Sequence, residues 1–379
     1  VRSLDQARAV CERYHPGLGQ ALEAVPPTAR EAPGSPVIDL FRKHGGVSLL
    51  VPRRFGGQGA DPVDGVRVMR AVGSYSPSLA AAVAMHHFTV AMLYALAAET
   101  GRLTPAQLAV LGRVVPEQLL LASGWAEGRT RQNILLPSVT ARPDGDGYRL
   151  NGGKKPCSLS RSMDLLTASI AVEGPGGASE LALALIPAGS EGISVQPFWG
   201  NDVLAGAESD EVRLREVYVP RDLVIHTTAE DPHRLDDLQQ AGFVWFELLV
   251  AAGYAGAASA LAGRVLERER GSVAERSALA VRVESSYALL EGTARAVRDG
   301  LAGDDAVAAV LVARFAAQEM LGHAADLALE LLGGIDFIRS GDSALLARSV
   351  RPLAFHPPSR TSTADALVAY FCGAPLILS

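Results

Sequence analysis

Three histidines stand where an imidazole could exchange protons. His86 and His87 lie side by side before Phe88, and His356 sits between Phe355 and the Pro357-Pro358 pair. Histidine titrates in the neutral range, which suits a proton donor or acceptor. Each also has a structural reading: His356 as a capped turn residue, and one of His86 and His87 as ordinary surface or core. Cys11, Cys157 and Cys372 make no disulfide framework, and no pair has zinc-ligand spacing, so no metal site is expected. Lys154 and Lys155 are close to Cys157 in sequence, but nothing brings either to the sulfur, and Cys157 reads as packing. No strand-linked G-x-G-x-x-G is present, so no NAD(P)H fingerprint is visible.

Bulk properties narrow the partners. The 379 residues carry 35 Lys and Arg against 41 Asp and Glu, a net charge of −6, which lacks the basic footprint of a nucleic-acid binder. Hydrophobic residues make up 48% and charged residues 20%, enough for a large core. The first residues show no basic-then-apolar signal pattern, and a reducing cytoplasm suits the cysteine usage. The longest apolar stretches, Phe243–Ala252 and Ala306–Val312, look too short or interrupted for a bilayer, which needs about 20 residues. No membrane association is expected.

Three segments must position the reactive groups. Residues 1–117 read as helical, with Pro- and Gly-bearing breaks at 26–36 and 51–62. Residues 118–222 carry short alternating runs: Ser138–Ala141, Gly147–Leu150, Leu166–Val172, Leu181–Ile186, Ile193–Pro197 and Glu211–Leu214. Gly, Asp, Pro and Asn separate them, which predicts a small barrel or sandwich. Residues 223–379 return to helix over Leu235–Glu269, Ser272–Asp299 and Asp304–Leu332, the last two ending at Gly300 and Gly333-Gly334. Arg339–Val350 and Thr363–Phe371 complete an antiparallel bundle.

Four blocks then match a known family in order and spacing. Val51-Pro52-Arg53-Arg54-Phe55-Gly56-Gly57-Gln58-Gly59 resembles the "VPxxYGGxG" turn of the acyl-CoA dehydrogenases, and Gly147–Lys154 their "GyxlnGxK" hairpin. Ser209–Val212 through Val217-Tyr218-Val219-Pro220 is similar to their long strand. Leu331-Leu332-Gly333-Gly334-Ile335 with Arg348–Arg351 resembles "LGGxG…R..RDAR". The resemblance implies an α+β, mainly α chain: helical domain, central β-barrel and four-helix bundle. It also implies a homo-oligomer, dimer or tetramer, with flavin where barrel and bundle meet. Gly333 and Gly334 would lie at the cofactor.

The dehydrogenases take a substrate α-proton with a glutamate, and here its two usual places are filled otherwise. After Arg351, His356 stands at the Tyr of "YEGT" and Pro357 at its Glu. On the first bundle helix, alignment of Val250–Gly253 puts Phe246 at the second glutamate position. Glu247 is one residue on, rotated by roughly 100° around a helix. Glu291-Gly292-Thr293 repeats the letters in the wrong helix, and Glu291 reads as part of a polar helix face.

The same blocks are similar to the flavin-dependent monooxygenases of the dibenzothiophene monooxygenase type. Their hairpin runs on as Asn151–Ser158 does, then as Ser162-Met163-Asp164-Leu165-Leu166, and His356-Pro357-Pro358 stands where they have "HDP". The likeness puts the Ser158 hydroxyl at flavin N5 and His356 at the flavin's reactive edge. It offers His87, rather than His86, as a third group. Trp199 would lie against the flavin, and Trp125 and Arg129 would line the pocket. Such chemistry needs hydrogen-bond donors in a dry site, so that oxygen activated by reduced flavin is not lost as hydrogen peroxide. FAD and FMN both remain open, because Arg268-Glu269-Arg270-Gly271 lacks the family's Phe-Gly pair. The expected activity is a monooxygenase fed by a separate flavin reductase, acting on a small or carrier-bound biosynthetic intermediate. An acyl-thioester dehydrogenase using Glu247, and a flavin-free scaffold, are the alternatives.

Overall fold

The computed structural model describes residues 1–128, 136–173, 179–227 and 237–378, apart from the side chains of 237–239. Arg129 lies outside the described residues. The chain begins with seven helices: α1 (Arg2–Tyr14), α2 (Leu18–Glu23), α3 (Pro27–Glu31), α4 (Val37–Lys43), α5 (Pro62–Tyr75), α6 (Pro77–Leu96) and α7 (Pro105–Arg113). Local chemistry sets their starts. Asp61 accepts from the Asp64 amide ahead of α5, and Ser76 accepts from the Leu79 amide ahead of α6. Each cap is followed by proline at the first helical turn. Thr104 and Gln107 close a reciprocal capping box on α7.

Among the described residues eight strands follow: β1 (Leu121–Gly124), β2 (Thr140–Asp144), β3 (Gly147–Cys157), β4 (Leu165–Glu173), β5 (Ser179–Pro187), β6 (Ile193–Gln196), β7 (Asp210–Pro220) and β8 (Val224–His226). They pair in the order β6-β7-β3-β2-β4-β5-β8, with β1 parallel to β4. The expected closed barrel is therefore an open sheet. β6 and β8, of four and three residues, end the ladder and do not pair with one another. β1 and β8 escaped the sequence reading because β1 is buried on both faces without alternation and β8 is a three-residue strand past residue 222. Asn151-Gly152-Gly153, expected between strands, lies inside β3. The pairing with β7 shifts there, between Leu150 and Gly152, as a bulge rather than a turn.

The remaining helices are α8 (Asp237–Glu267), α9 (Val273–Arg298), α10 (Gly303–Arg339), α11 (Gly341–Val350) and α12 (Ala364–Phe371). α8 packs on α9, α10 and α11, and its other side meets α5 and α6. The α5–α8 crossing is close enough that a Cβ on Gly73 would lie 2.0 Å from the Gly253 carbonyl oxygen, so only glycine fits. The predicted helix end at Gly333 is a break within α10, where Gly333 takes φ 82° and ψ 169° and the chain re-enters helix beyond it.

Two helices correct the expectation about apolar length. Pro77–Leu96 and Gln240–Glu267 are long and apolar enough to cross a membrane. In this fold 89% and 83% of their apolar windows are buried against protein, so both serve as core helices.

Candidate active site

A cavity of about 150 Å³ opens where α6, α8, the ends of β1 and β3, and the loop after α11 converge. α6 contributes Met85, Phe88 and Met92, spaced three and four apart on one helix face. α8 contributes Gly242, Phe243 and Phe246 on the same principle. The sheet side adds Ser123, Trp125, Ala126, Pro156 and Ser158, and the loop adds His356 and Pro357. Ser158, His356 and Trp125, separated by up to 231 positions in the chain, are thus brought together.

On the sheet side the Ser158 hydroxyl lies 2.9 Å from the Ser209 hydroxyl, just before β7. The Lys155 amide bonds the Ala126 carbonyl at 2.8 Å, which ties the Trp125 segment to β3. A buried ion pair reinforces this: Lys154 Nζ lies 2.6 Å from Glu127 Oε1 and 2.9 Å from Ser169 Oγ. Glu127 also accepts from the Ser138 amide and hydroxyl. Burial lowers the Lys154 ammonium to about 8, with Glu127 opposing that shift. Trp125 Nε1 is buried in a residue that lines the cavity, and it has no hydrogen-bond partner among the described residues. A flavin or substrate carbonyl would satisfy it, so the residues present fit a bound flavin. Cys157 has its thiol pushed up to about 12 by burial, which makes it a packing residue as expected.

On the helical side four rings follow one another. Phe88 meets Phe246 edge-on at 5.4 Å between centroids, Phe246 meets His356 edge-on at 5.7 Å, and His356 meets Tyr254 at 5.6 Å. Tyr254 Oη is 2.8 Å from His356 Nε2. Enclosure by these rings and the charge on Arg314 push the imidazole down to about 3, although its edge borders the cavity. His356 is therefore neutral at pH 7, a hydrogen-bonding group rather than the neutral-range titrator its residue type suggests. Burial holds the Tyr254 phenol well above its usual range, so it stays protonated.

Other expected residues are placed elsewhere. His87 is buried and turned away from the cavity, meeting the Phe41 ring edge-on at 5.6 Å. Neither of its nitrogens has a partner among the described residues, and burial holds it uncharged, well below its ordinary pKa. His86 accepts from the Leu121 amide at 3.1 Å and donates to the Val47 carbonyl at 3.0 Å, a structural role. The reason is helical phase: Met85 and Phe88 take the cavity face of α6, so His86 and His87 take the opposite one. Trp199 is half-buried before β7, its indole N–H donating to the Val203 carbonyl at 2.9 Å, and it does not line the cavity. Gly333 and Gly334 lie at the exposed end of α10, away from the cavity. Glu291 pairs with Arg67 and, at 2.7 Å, with Arg295, a polar helix face as read from the sequence.

Glu247 does not face the cavity. Its carboxylate is buried, with Oε2 3.0 Å from Arg314 Nε and Oε1 accepting from Arg314 at 3.0 Å. The first of these is a charge contact off the hydrogen-bond line; the second is a hydrogen bond. Burial raises the carboxyl to about 7, and Arg314 opposes the rise. Phe246 occupies the cavity face where a dehydrogenase would carry its base. Tyr254 and Arg314 were not singled out from sequence. Tyr254 is eight residues, about two turns, from Phe246, and Arg314 is a lone cation in an apolar helical run, which demands a buried partner.

No protein-family model matches the chain. Isobutylamine N-hydroxylase of Streptomyces viridifaciens is 60% identical over 376 residues, 99% of this chain and 100% of that one. Dibenzothiophene monooxygenase of Rhodococcus qingshengii is 27% identical over 190 residues, 49% of this chain and 43% of that one. FMN-bound TdsC of Paenibacillus sp. A11-2 has the same fold, with a TM-score of 0.80 at 18% identity over 100% of this chain and 99% of that one. The chain belongs to the flavin-dependent monooxygenases built on the acyl-CoA dehydrogenase-like fold, and is an oxidoreductase.

Proposed function

We propose that the protein N-hydroxylates a small primary aliphatic amine, taking reduced flavin from a separate reductase. The observation that carries this reading is the cavity itself. Its lining is predominantly apolar, and it is bordered by the Ser158 hydroxyl and a neutral His356. The 60% identity to an isobutylamine N-hydroxylase supports the amine. When bound, reduced flavin supplies two electrons to dioxygen, so that one oxygen atom reaches the amine nitrogen and the other leaves as water. The chain's part is to hold protons and exclude water. Ser209 bonds the Ser158 hydroxyl, and with Ser209 as the donor of that bond Ser158 has its own proton for the ligand. Tyr254 Oη bonds His356 Nε2, and with the phenol as donor the imidazole hydrogen sits on Nδ1. Phe88, Phe246 and Trp125 keep the site dry.

The test is to supply isobutylamine, reduced FMN or FAD, and ¹⁸O₂. A hydroxylamine carrying one labelled oxygen is expected. Bleaching of bound oxidised flavin by an acyl thioester under nitrogen, with no labelled hydroxylamine in air, would instead make the protein a desaturase.

Further assignments rest on this reading. Division near residues 117 and 222 into helical, sheet and helical domains is supported by the strands falling within 121–226. Gly333-Gly334 is followed by Ile335, Phe337 and Ile338, which are 68%, 60% and 78% exposed. We assign this end of α10 to a second copy of the chain, with any flavin contact at those glycines made across that boundary. A monomer in sedimentation equilibrium would remove the assignment. The two apolar helices being buried supports a protein free of membrane, which we place in the cytoplasm. Recovery with the membrane fraction of lysed cells would reverse that.

A further inference from the structure

We propose that Glu247 and Arg314 are positioning residues, a buried clip that holds the His356-Pro357-Pro358 loop, and with it the imidazole, against the cavity. This rests on the reading that His356 acts there. Arg314, on α10, is fully buried, and so is Glu247, on α8 beside the cavity-lining Phe246. Besides its two contacts with Glu247, the guanidinium donates to the carbonyls of His356 at 3.2 Å, Pro357 at 3.4 Å and Pro358. The loop cannot secure itself. Pro357 and Pro358 have no N–H, and the three carbonyls face a helix interior that offers no free backbone donor.

One arginine solves this because its planar fork presents donors in several fixed directions at once; a lysine offers a single point charge. Glu247 makes the arrangement tenable. A guanidinium bonded only to neutral carbonyls would be an uncompensated buried charge, and would be drawn toward water. The carboxylate that could have been a base is thereby spent on geometry. Phe246 completes the link, since it leaves α8 one residue before Glu247 and meets the His356 ring edge-on.

The experiment uses the full chain without flavin or substrate first. Hydrogen exchange is followed over Leu353–His356 in Arg314→Lys, Glu247→Gln and the charge-free double variant Glu247→Met with Arg314→Met. The double variant guards against unfolding, because it leaves no buried charge unpaired. Exchange in this segment is expected to quicken at least tenfold in Arg314→Lys and in the double variant, while α8 and α10 keep wild-type protection. With flavin and amine, hydroxylamine formed per reduced flavin should fall about tenfold in both, with hydrogen peroxide rising in step. The same changes should add nothing in a His356→Ala background. Wild-type exchange and coupling in a folded Arg314→Lys or double variant would overturn the clip. Faster exchange together with an unaffected His356→Ala would keep the clip and discard the role of the imidazole.

Discussion

The two sides of the cavity are each braced by a buried ion pair, and the pairs do different work. On the sheet side, Lys154 and Glu127 are surrounded by further donors and acceptors: Ser169 bonds the ammonium, and Ser138 bonds the carboxylate. That pair stitches β3 to the segment carrying Trp125. On the helical side, Arg314 turns its remaining donors outward to three loop carbonyls. The first network joins two parts of the sheet side to each other; the second has donors left to hold a reactive loop. The sheet side offers hydroxyls and an indole, while the helical side offers the one imidazole.

The largest expected effect tests the sheet-side pair. Lys154→Met removes the buried ammonium that Glu127 and Ser169 share and should cost on the order of 3 kcal/mol, seen as a lower urea midpoint. A loss below about 1 kcal/mol would mean that water reaches Glu127 and that the two pairs do not differ as described.

Acid comes next, because the helical side is backed by histidines. Burial lowers His86 and His15 to about 4 and His87 well below 6.5, so the unfolded chain binds more protons than the fold below about pH 6.5. Stability from these groups is complete above pH 6.5 and drains away as pH falls toward 4, on the order of 3 kcal/mol for His86. Glu247, raised to about 7, works the other way and offsets part of the loss. Thermal melts should show His87→Phe flattening the acid limb. His356, titrating near 3, should put no inflection in turnover between pH 5 and 8.

Each side's reactive group comes third. His356→Ala should cut coupled hydroxylation roughly 100-fold and Ser158→Ala roughly 10-fold, both with more hydrogen peroxide released per flavin oxidised. Unchanged product-to-peroxide ratios in both variants would remove their assigned roles. The smallest effect is a control outside both walls. Glu291→Gln breaks an ion pair with the partly exposed Arg67 and Arg295, and should change stability by less than about 1 kcal/mol and coupling not at all. A large loss of turnover would mean that the Glu-Gly-Thr letters are not coincidence.

The sheet side was the legible one. Ser158 follows the contiguous Gly147–Lys154 block, and a strand carries neighbours in sequence to neighbours in space. Trp125 was reachable too, because its loop stands at a recognisable place in the order of blocks. The helical side was legible only in part. His356 announced itself by standing where a tyrosine should be, and Phe246 by displacing a glutamate. His87 is placed off the cavity because chemistry by residue type says nothing of helical phase, and at 100° per residue one position decides which face a side chain takes. Closure of the sheet failed for a related reason: alternation marks strands but not which edges meet.

By itself the order of residues determined the element types, the helix starts at Asp61, Ser76, Thr104 and Ser272, the family and the loss of a dehydrogenase base at Phe246 and Pro357. These depend on local propensity or on short blocks whose meaning does not require knowing what lies across the fold. Only the tertiary structure decided that Glu247 faces Arg314 and not the cavity, and that His356 is neutral. Both follow from desolvation and from charges brought close by chain segments 67 and 42 residues apart, as Arg314 is from Glu247 and from His356. Burial is a property of the assembled molecule, and it sets what a carboxylate or an imidazole can do.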